Sequence, residues 1–272
     1  MHTDGSDGAW PASEVLKRYR ELGYDFVAVT DHQKVTRCEG PEGMLVIPGV
    51  ELHYPDVSTG KQWHFVGVGF EDEARICGSP EEIVKFLRPR SEYLVMAHPY
   101  WSNLSGEDVR RFPQCDAVEV FNTLAMGEIG RGHSEPAWDH FLSSGAHLNC
   151  VAVDDTHQRK RYRDLGVSWV MVKAAELSRK AILEALKRGE YYSSTGPEIL
   201  DWTQEEMNFA VRTSPCRSIA FVCNTWFGGR SEAPTGESIS EADYTMRGPE
   251  KYMRVQVTDE RGGRAWTNPV YF

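Results

Sequence analysis

Histidines and carboxylates close one apolar run after another in this chain. "FVAVTDH" ends in Asp31 and His32, "VIPGVEL" in Glu51, "LVMAHP" in His98, and "CVAVDDTH" in Asp154, Asp155 and His157. His64 opens "HFVGVGF". Asp155 and His157 are two apart and project from one side of an extended segment. A single His or Asp at such a place is more often a turn residue than a ligand. Several of them, each tied to a different apolar run, point to one shared site. Imidazoles and carboxylates gathered away from water carry a desolvation cost that bound divalent cations remove. No cysteine joins the set, which favours Zn²⁺, Mn²⁺ or Fe²⁺ in an open, catalytic geometry. His53, His133, His140 and His147 read instead as ordinary turn, helix or surface residues.

The elements that must carry these residues follow from periodicity. "PASEVLKRYRELGYD" puts Val15, Leu16, Tyr19 and Leu22 on one helical face, with Pro11 near its start and Gly23 as its stop. "SPEEIVKFL" opens with Ser79, Pro80 and Glu82, a capping-box pattern. "EPAWDHFLSSG" and "SRKAILEALKRG" read as helices, and "GEDVRRF" as a polar helical stretch. The apolar runs between them, with "DAVEVFN" and "VSWVMVKA", read as buried strands. That alternation predicts an α/β fold with a mainly parallel sheet. After "YYSSTGP" strands follow one another through Gly-rich turns, so a boundary is expected near Pro197 with a small antiparallel β domain beyond it. An extension of the first sheet is the alternative.

Composition narrows the function classes. Thirty Lys+Arg against forty Asp+Glu give a formal net charge of −10, which argues against bulk nucleic-acid binding or an anionic membrane as partner. Cys38, Cys77, Cys115, Cys150, Cys216 and Cys223 show no CxxC spacing and read as free thiols. With no secretory signal pattern and no apolar run long enough to span a bilayer, a cytoplasmic protein is expected.

Taken together, "HTDGSDG", "TDH", "PGVE", "WHFVGVG", "AHP" and "DDTH" resemble, in order and approximate spacing, the PHP (polymerase and histidinol phosphatase) family over residues 1–198. "DAVEVFN", "WDHFLSSG", "VAVDDTH" and "YYSSTGP" are similar to a branch with a small C-terminal β domain, here residues 199–272. The resemblance implies a distorted (β/α)7 barrel holding two or three divalent ions. It implies His2, Glu51 and Asp155 at one metal, Glu51 as a bridge with His64 and His98 at a second, and Asp7, His32 and His157 at a third. The opening stretch is therefore expected to be half of a site. The family motif begins His-x-His, and Met1 occupies the middle place, so a weaker first metal is expected. An upstream true start is the favoured explanation, a natively short chain the alternative.

Such a centre binds a phosphate oxyanion and lowers the pKa of coordinated water toward ~7. The implied function is a metal-dependent phosphoesterase acting through metal-activated hydroxide on a small phosphorylated molecule or nucleotide. His53 is a candidate proton donor to the leaving group. Arg131, in the loop "NTLAMGEIGRGHSEP", and Lys34, Arg37 and Arg159, which follow ligand-bearing runs, are candidate oxyanion contacts. The alternatives are hydrolysis of a carbamate, ester or amide bond at the same metals, and a non-catalytic metal-binding module. No residue pattern specifies the substrate or the oligomeric state.

Overall fold

A computed structural model describes residues 1–74, 76 and 78–272. Helix α1 (Ala12–Glu21) buries Val15, Leu16 and Tyr19, as its spacing demands. Leu22 falls past the last turn and stays 48% exposed. Strand β1 (Phe26–Val29) then pairs parallel with β2 (Leu45–Asp56).

Only residues 57–60 separate β2 from β3 (Lys61–Val68). A parallel crossover takes about a dozen residues or more, so β3 has to fold back on β2 as a hairpin. It does, in register from Gly49 opposite Val68 to Asp56 opposite Lys61. Helix α2 (Pro80–Leu87) starts at the Ser79–Glu82 capping box read from the sequence. It leads to β4 (Tyr93–Met96), which is also antiparallel to β3. After α3 (Gly106–Arg110), strand β5 (Ala117–Asn122) lies parallel to β4. Helices α4 (Thr123–Ile129) and α5 (Glu135–Leu142) precede β6 (Asn149–Val153), parallel to β5. The stretch read as a long loop thus holds a helix, capped by the Asn122 side chain on the Ala125 amide.

These six strands follow chain order in one curled sheet. The expected α/β architecture of a distorted (β/α)7 barrel is corrected here. Two of the five neighbouring strand pairs are antiparallel, and the sheet does not close. The next strands, β7 (Trp169–Val172) and, after α6 (Arg179–Arg188), β8 (Tyr191–Ser194), pair antiparallel with each other and leave the first sheet. Strands β1 and β7 therefore end their sheets, and a groove of about 830 Å³ opens beside them, lined by Val27, Ile47, Val66, Val95 and Ile182.

The C-terminal residues form β9 (Ile199–Glu205), β10 (Asn208–Cys216), β11 (Ser218–Cys223), β12 (Gly229–Glu232), β13 (Ile239–Thr245), β14 (Tyr252–Thr258), β15 (Arg264–Thr267) and β16 (Val270–Tyr271). Three of them make a small sheet in the order β13-β10-β9. The others run β12-β11-β14-β15 and continue directly into β8 and β7, with β16 on β14. Hydrogen bonding is therefore continuous across Pro197, with Ala265 opposite Ser194 and Thr267 opposite Tyr192. The core is shared as well. Tyr252 and Trp266 pack in one cluster with Trp63, Phe65, Phe112 and Trp138. Each buried Phe of that cluster contributes roughly 2–3 kcal/mol, which holds the β2–β3 hairpin in place.

Cys38, Cys115, Cys150, Cys216 and Cys223 are free thiols; Cys77 lies outside the described residues. Among the described residues no helix is long and apolar enough to cross a membrane.

Candidate metal centre

The first eight residues are anchored, not frayed. The Met1 ammonium donates to the Ala28 carbonyl at 3.2 Å, and the His2 amide to the Thr156 carbonyl at 3.0 Å. Asp31 gathers the loop behind them, accepting from the Thr3 amide and hydroxyl and the Ser6 hydroxyl, each at 2.7 Å, and from Thr36. A β-carbon at Gly5 would lie 2.6 Å from Asp31 Oδ2, and one at Gly8 2.8 Å from the His2 carbonyl. Only glycine allows so close an approach. Gln158 closes the loop from the other side, accepting from the Ala9 and Trp10 amides and donating to the His2 carbonyl. His2 is left 1% exposed and fixed.

Around it the ligand candidates converge. His2 Nε2 lies 3.1 Å from Glu51 Oε2 and 3.0 Å from Asp155 Oδ1. The other Glu51 oxygen lies 2.5 Å from His64 Nδ1 and 3.7 Å from His98 Nε2. Asp7 Oδ1 lies 3.2 Å from His157 Nε2 and 3.9 Å from both His32 Nε2 and His2 Nδ1. Three groups have all their donor atoms within 4.8 Å of one another: His2, Asp7, His32 and His157; His32, Glu51 and His64; His2, Glu51 and Asp155. His98 falls outside these tight groups yet faces the same Glu51 oxygen.

Chain direction explains how β3 contributes. His32, His98, Asp155 and His157 follow the carboxyl ends of β1, β4 and β6, whereas Glu51 and His64 sit within the hairpin. Because β3 runs backwards, its amino-terminal half reaches the same mouth, and the register sets His64 opposite His53 with ring centroids 5.2 Å apart. His98 and Asp155 have positive φ, 27° and 51°, a strained backbone that packed surroundings must hold. Asp154 points away from Asp155 and accepts from Tyr19, Val167 and Ser168. Its work is structural.

The electrostatics of the cluster follow from burial set against its imidazole–carboxylate pairs. Burial alone would lower the His2 and His98 imidazoles; Asp155 and Glu51 hold His2 up at about 10, and Glu51 holds His98 up at about 9. Burial pushes His32 down to about 4. Against their own burial, Glu51 is held well below the usual carboxylate range by His2, His64 and His98, and Asp7 is lowered by His157. His2 and His98 are thus held protonated beside Glu51 and Asp155, and a divalent cation would displace such protons on binding. The donors fit such an ion. His157 Nδ1 donates to the Asp155 carbonyl at 2.8 Å, so Nε2, 3.2 Å from Asp7 Oδ1, is the nitrogen that would turn to an ion. Among the described residues, His2 Nδ1, His32 Nδ1 and His53 Nδ1 are buried without a hydrogen-bond partner.

The centre forms the base of a cavity of about 350 Å³. His53 and Arg159 line it, as do Gln62, Trp101, Leu124 and Glu128, which sequence reasoning did not single out. Arg131, Lys34 and Arg37 are exposed and not among its lining residues. The Arg131 guanidinium lies over the Tyr100 ring, and Arg37 donates to the Glu71 carbonyl. His133 contacts Glu135, His140 contacts Glu107, and His147 stacks on Tyr271. Glu119 and Asn122, buried at the end of β5, also escaped the sequence reading. Their one signal was a polar pair inside the apolar run "AVEVFN". Against known proteins, no family model matches this chain and no curated protein matches it.

Proposed function

We propose that this protein is a metal-dependent hydrolase of the PHP type, a phosphoesterase that releases phosphate from a small phosphorylated molecule or nucleotide. One observation carries the reading: eight His and carboxylate side chains converge, seven of them lining one open cavity with His2 buried behind, and among the described residues the buried Nδ1 atoms of His2 and His32 have no hydrogen-bond partner. His2, Glu51 and Asp155 would hold one ion, Glu51, His64 and His98 a second, and Asp7, His32 and His157 a third, of Zn²⁺, Mn²⁺ or Fe²⁺ character. Bound there, such ions attract oxyanions and acidify water.

The chain's own residues do the rest. Three carboxylates, Glu51, Asp7 and Asp155, leave a site holding two or three dications net positive, which suits a phosphate. Glu51 would be shared by two of the ions and would offset their repulsion. Arg159 at the rim meets outer oxygens of the substrate, and Trp101 with Leu124 shields one wall from water. His53, beside His32 and His64 in the cavity wall, is the group placed to deliver a proton to the leaving oxygen. The free thiols Cys38, Cys115, Cys150, Cys216 and Cys223 support a reducing, cytoplasmic compartment.

The test is a chromogenic panel of phosphate monoesters and diesters, carboxyl esters and carbamates, assayed with Mn²⁺ and with Zn²⁺. Phosphate release that disappears in His98→Ala, with circular dichroism unchanged, is the expected result. Turnover confined to carbon esters or carbamates would move the reading to another hydrolase, and wild-type turnover by metal-loaded His98→Ala would overturn the metal assignment.

A further inference from the structure

Glu119 is 5% exposed, sits beside the centre, and is absent from the three tight ligand groups. Its Oε2 accepts from the His98 amide at 2.9 Å and from Asn122 Nδ2 at 2.8 Å. The same Asn122 nitrogen donates to Asp155 Oδ2 at 3.1 Å. Asn122 is fully buried, and its Oδ1 is committed to the Ala125 amide at 2.8 Å, capping α4. That cap fixes the amide orientation, because only the nitrogen remains to face the two carboxylates. Through Glu119, Asn122 therefore ties His98, beyond β4, to Asp155, beyond β6. Both residues so tied are held at positive φ.

We infer that Asn122, acting with Glu119, is a positioning residue that sets His98 and Asp155 at a fixed separation, and so sets the spacing of the two ions that share Glu51. The inference rests on the metal-centre reading above. Glu119 holds the strained His98 backbone through its amide. Asn122 turns Asp155 so that Oδ1 faces His2, leaving Oδ2 occupied. Without the clamp, Asp155 is free to rotate and the His98 backbone loses one of its restraints. Groups that orient metal ligands in this way are generally worth about 10–100-fold in metal affinity.

Two substitutions separate positioning from folding. Asn122→Ser keeps a good helix cap for the Ala125 amide but is too short to reach Glu119 and Asp155. Asn122→Asp keeps size and cap and replaces the donor with a third carboxylate oxygen. Ion uptake by the full chain is titrated with Mn²⁺ alone and Zn²⁺ alone, and metal-free stability is followed by thermal circular dichroism. Expected is a roughly 10–100-fold weaker affinity for the ions at Glu51 in Asn122→Ser, a larger loss in Asn122→Asp, and an unchanged ion at Asp7, His32 and His157. Metal-free Asn122→Ser should stay cooperatively folded, its melting temperature lowered only by the donor withdrawn from two buried carboxylates. Affinities within twofold of wild type in both variants overturn the clamp, as does a uniform loss at every ion together with loss of cooperative metal-free melting. A wild-type chain that takes up neither metal overturns the metal centre itself, a distinct outcome.

Discussion

Two of the places where the molecule buries charge are built on opposite plans. Where the C-terminal sheet meets α5, each carboxylate has its own arginine. Arg254, 2% exposed, grips Asp139 at 2.7 and 2.6 Å, and Arg264 meets Glu135 at 2.7 Å. At the strand ends, Glu51, Asp155 and the half-exposed Asp7 have imidazoles as their ion-pair partners, Asp155 accepting from Asn122 as well, and among the described residues His2 and His32 each keep a buried nitrogen without a partner. A guanidinium stays charged at any physiological pH and satisfies a carboxylate in full. An imidazole can surrender its proton and offer a lone pair instead. The first cluster carries its own counter-charge and serves as a rivet, although Arg254 Nη1 is itself buried without a partner among the described residues; on the reading proposed above, a bound cation would complete the second.

Exchanging what each cluster needs should expose that difference. The largest effect is expected from Glu51→Gln, which should reduce hydrolysis beyond about 100-fold and release metal, more than the loss of an orienting residue does. Metal content by emission spectroscopy, read beside the assay, checks it. Metal uptake equal to wild type would erase the contrast. Asp139→Ala should do the reverse. It leaves Arg254 buried and unpaired, costing about 3–5 kcal/mol in urea unfolding, while bound metal per folded chain stays the same.

Next in size is the response to ions. Mn²⁺ or Zn²⁺ at about 100 times its dissociation constant should add roughly 2.7 kcal/mol of stability. The melting temperature should rise in the wild type and in Asp139→Ala, fall back with chelator, and rise less in Glu51→Gln, which keeps only the ligands Asp7, His32 and His157 intact. The smallest effect concerns acid. Burial alone would raise Glu135, yet His133 and Arg264 bring it down to about 2. Because the folded value lies below the unfolded value of about 4.3, the contribution is complete above that pH and is lost as pH falls toward 2. With His133 and Arg264 side chains 32% and 35% exposed, it should be on the order of 1 kcal/mol. Urea midpoints of the wild type between pH 5 and 2 should fall more steeply than those of Glu135→Gln.

Much of the centre could be read from the chain because its ligands interrupt apolar runs. A His or Asp beside "FVAV", "LVMA" or "CVAV" has no reason to be there in a strand that only packs. The same argument located α2 and α6, whose caps and periods are local. It failed for Glu119 and Asn122, whose partners, His98 and Asp155, lie 21 and 33 residues away in sequence. It failed for Arg131, because a cation next to a ligand-bearing strand can as easily stack on Tyr100 as face the cavity.

Residue identities and short-range periodicity were enough to determine which side chains are ligand candidates, which segments are strands or helices, and that the opening "HTDGSDG" has more to do than fray. Strand direction and sheet membership were decided only in three dimensions. An apolar run reads the same whether its neighbour is parallel or antiparallel, so the (β/α)7 expectation did not survive the four-residue turn between β2 and β3. Nor does periodicity say which sheet a strand will join. The hydrogen-bonding edge of β8 was matched by β15, seventy residues later, because pairing energy depends on edges that meet in space and not on distance along the chain.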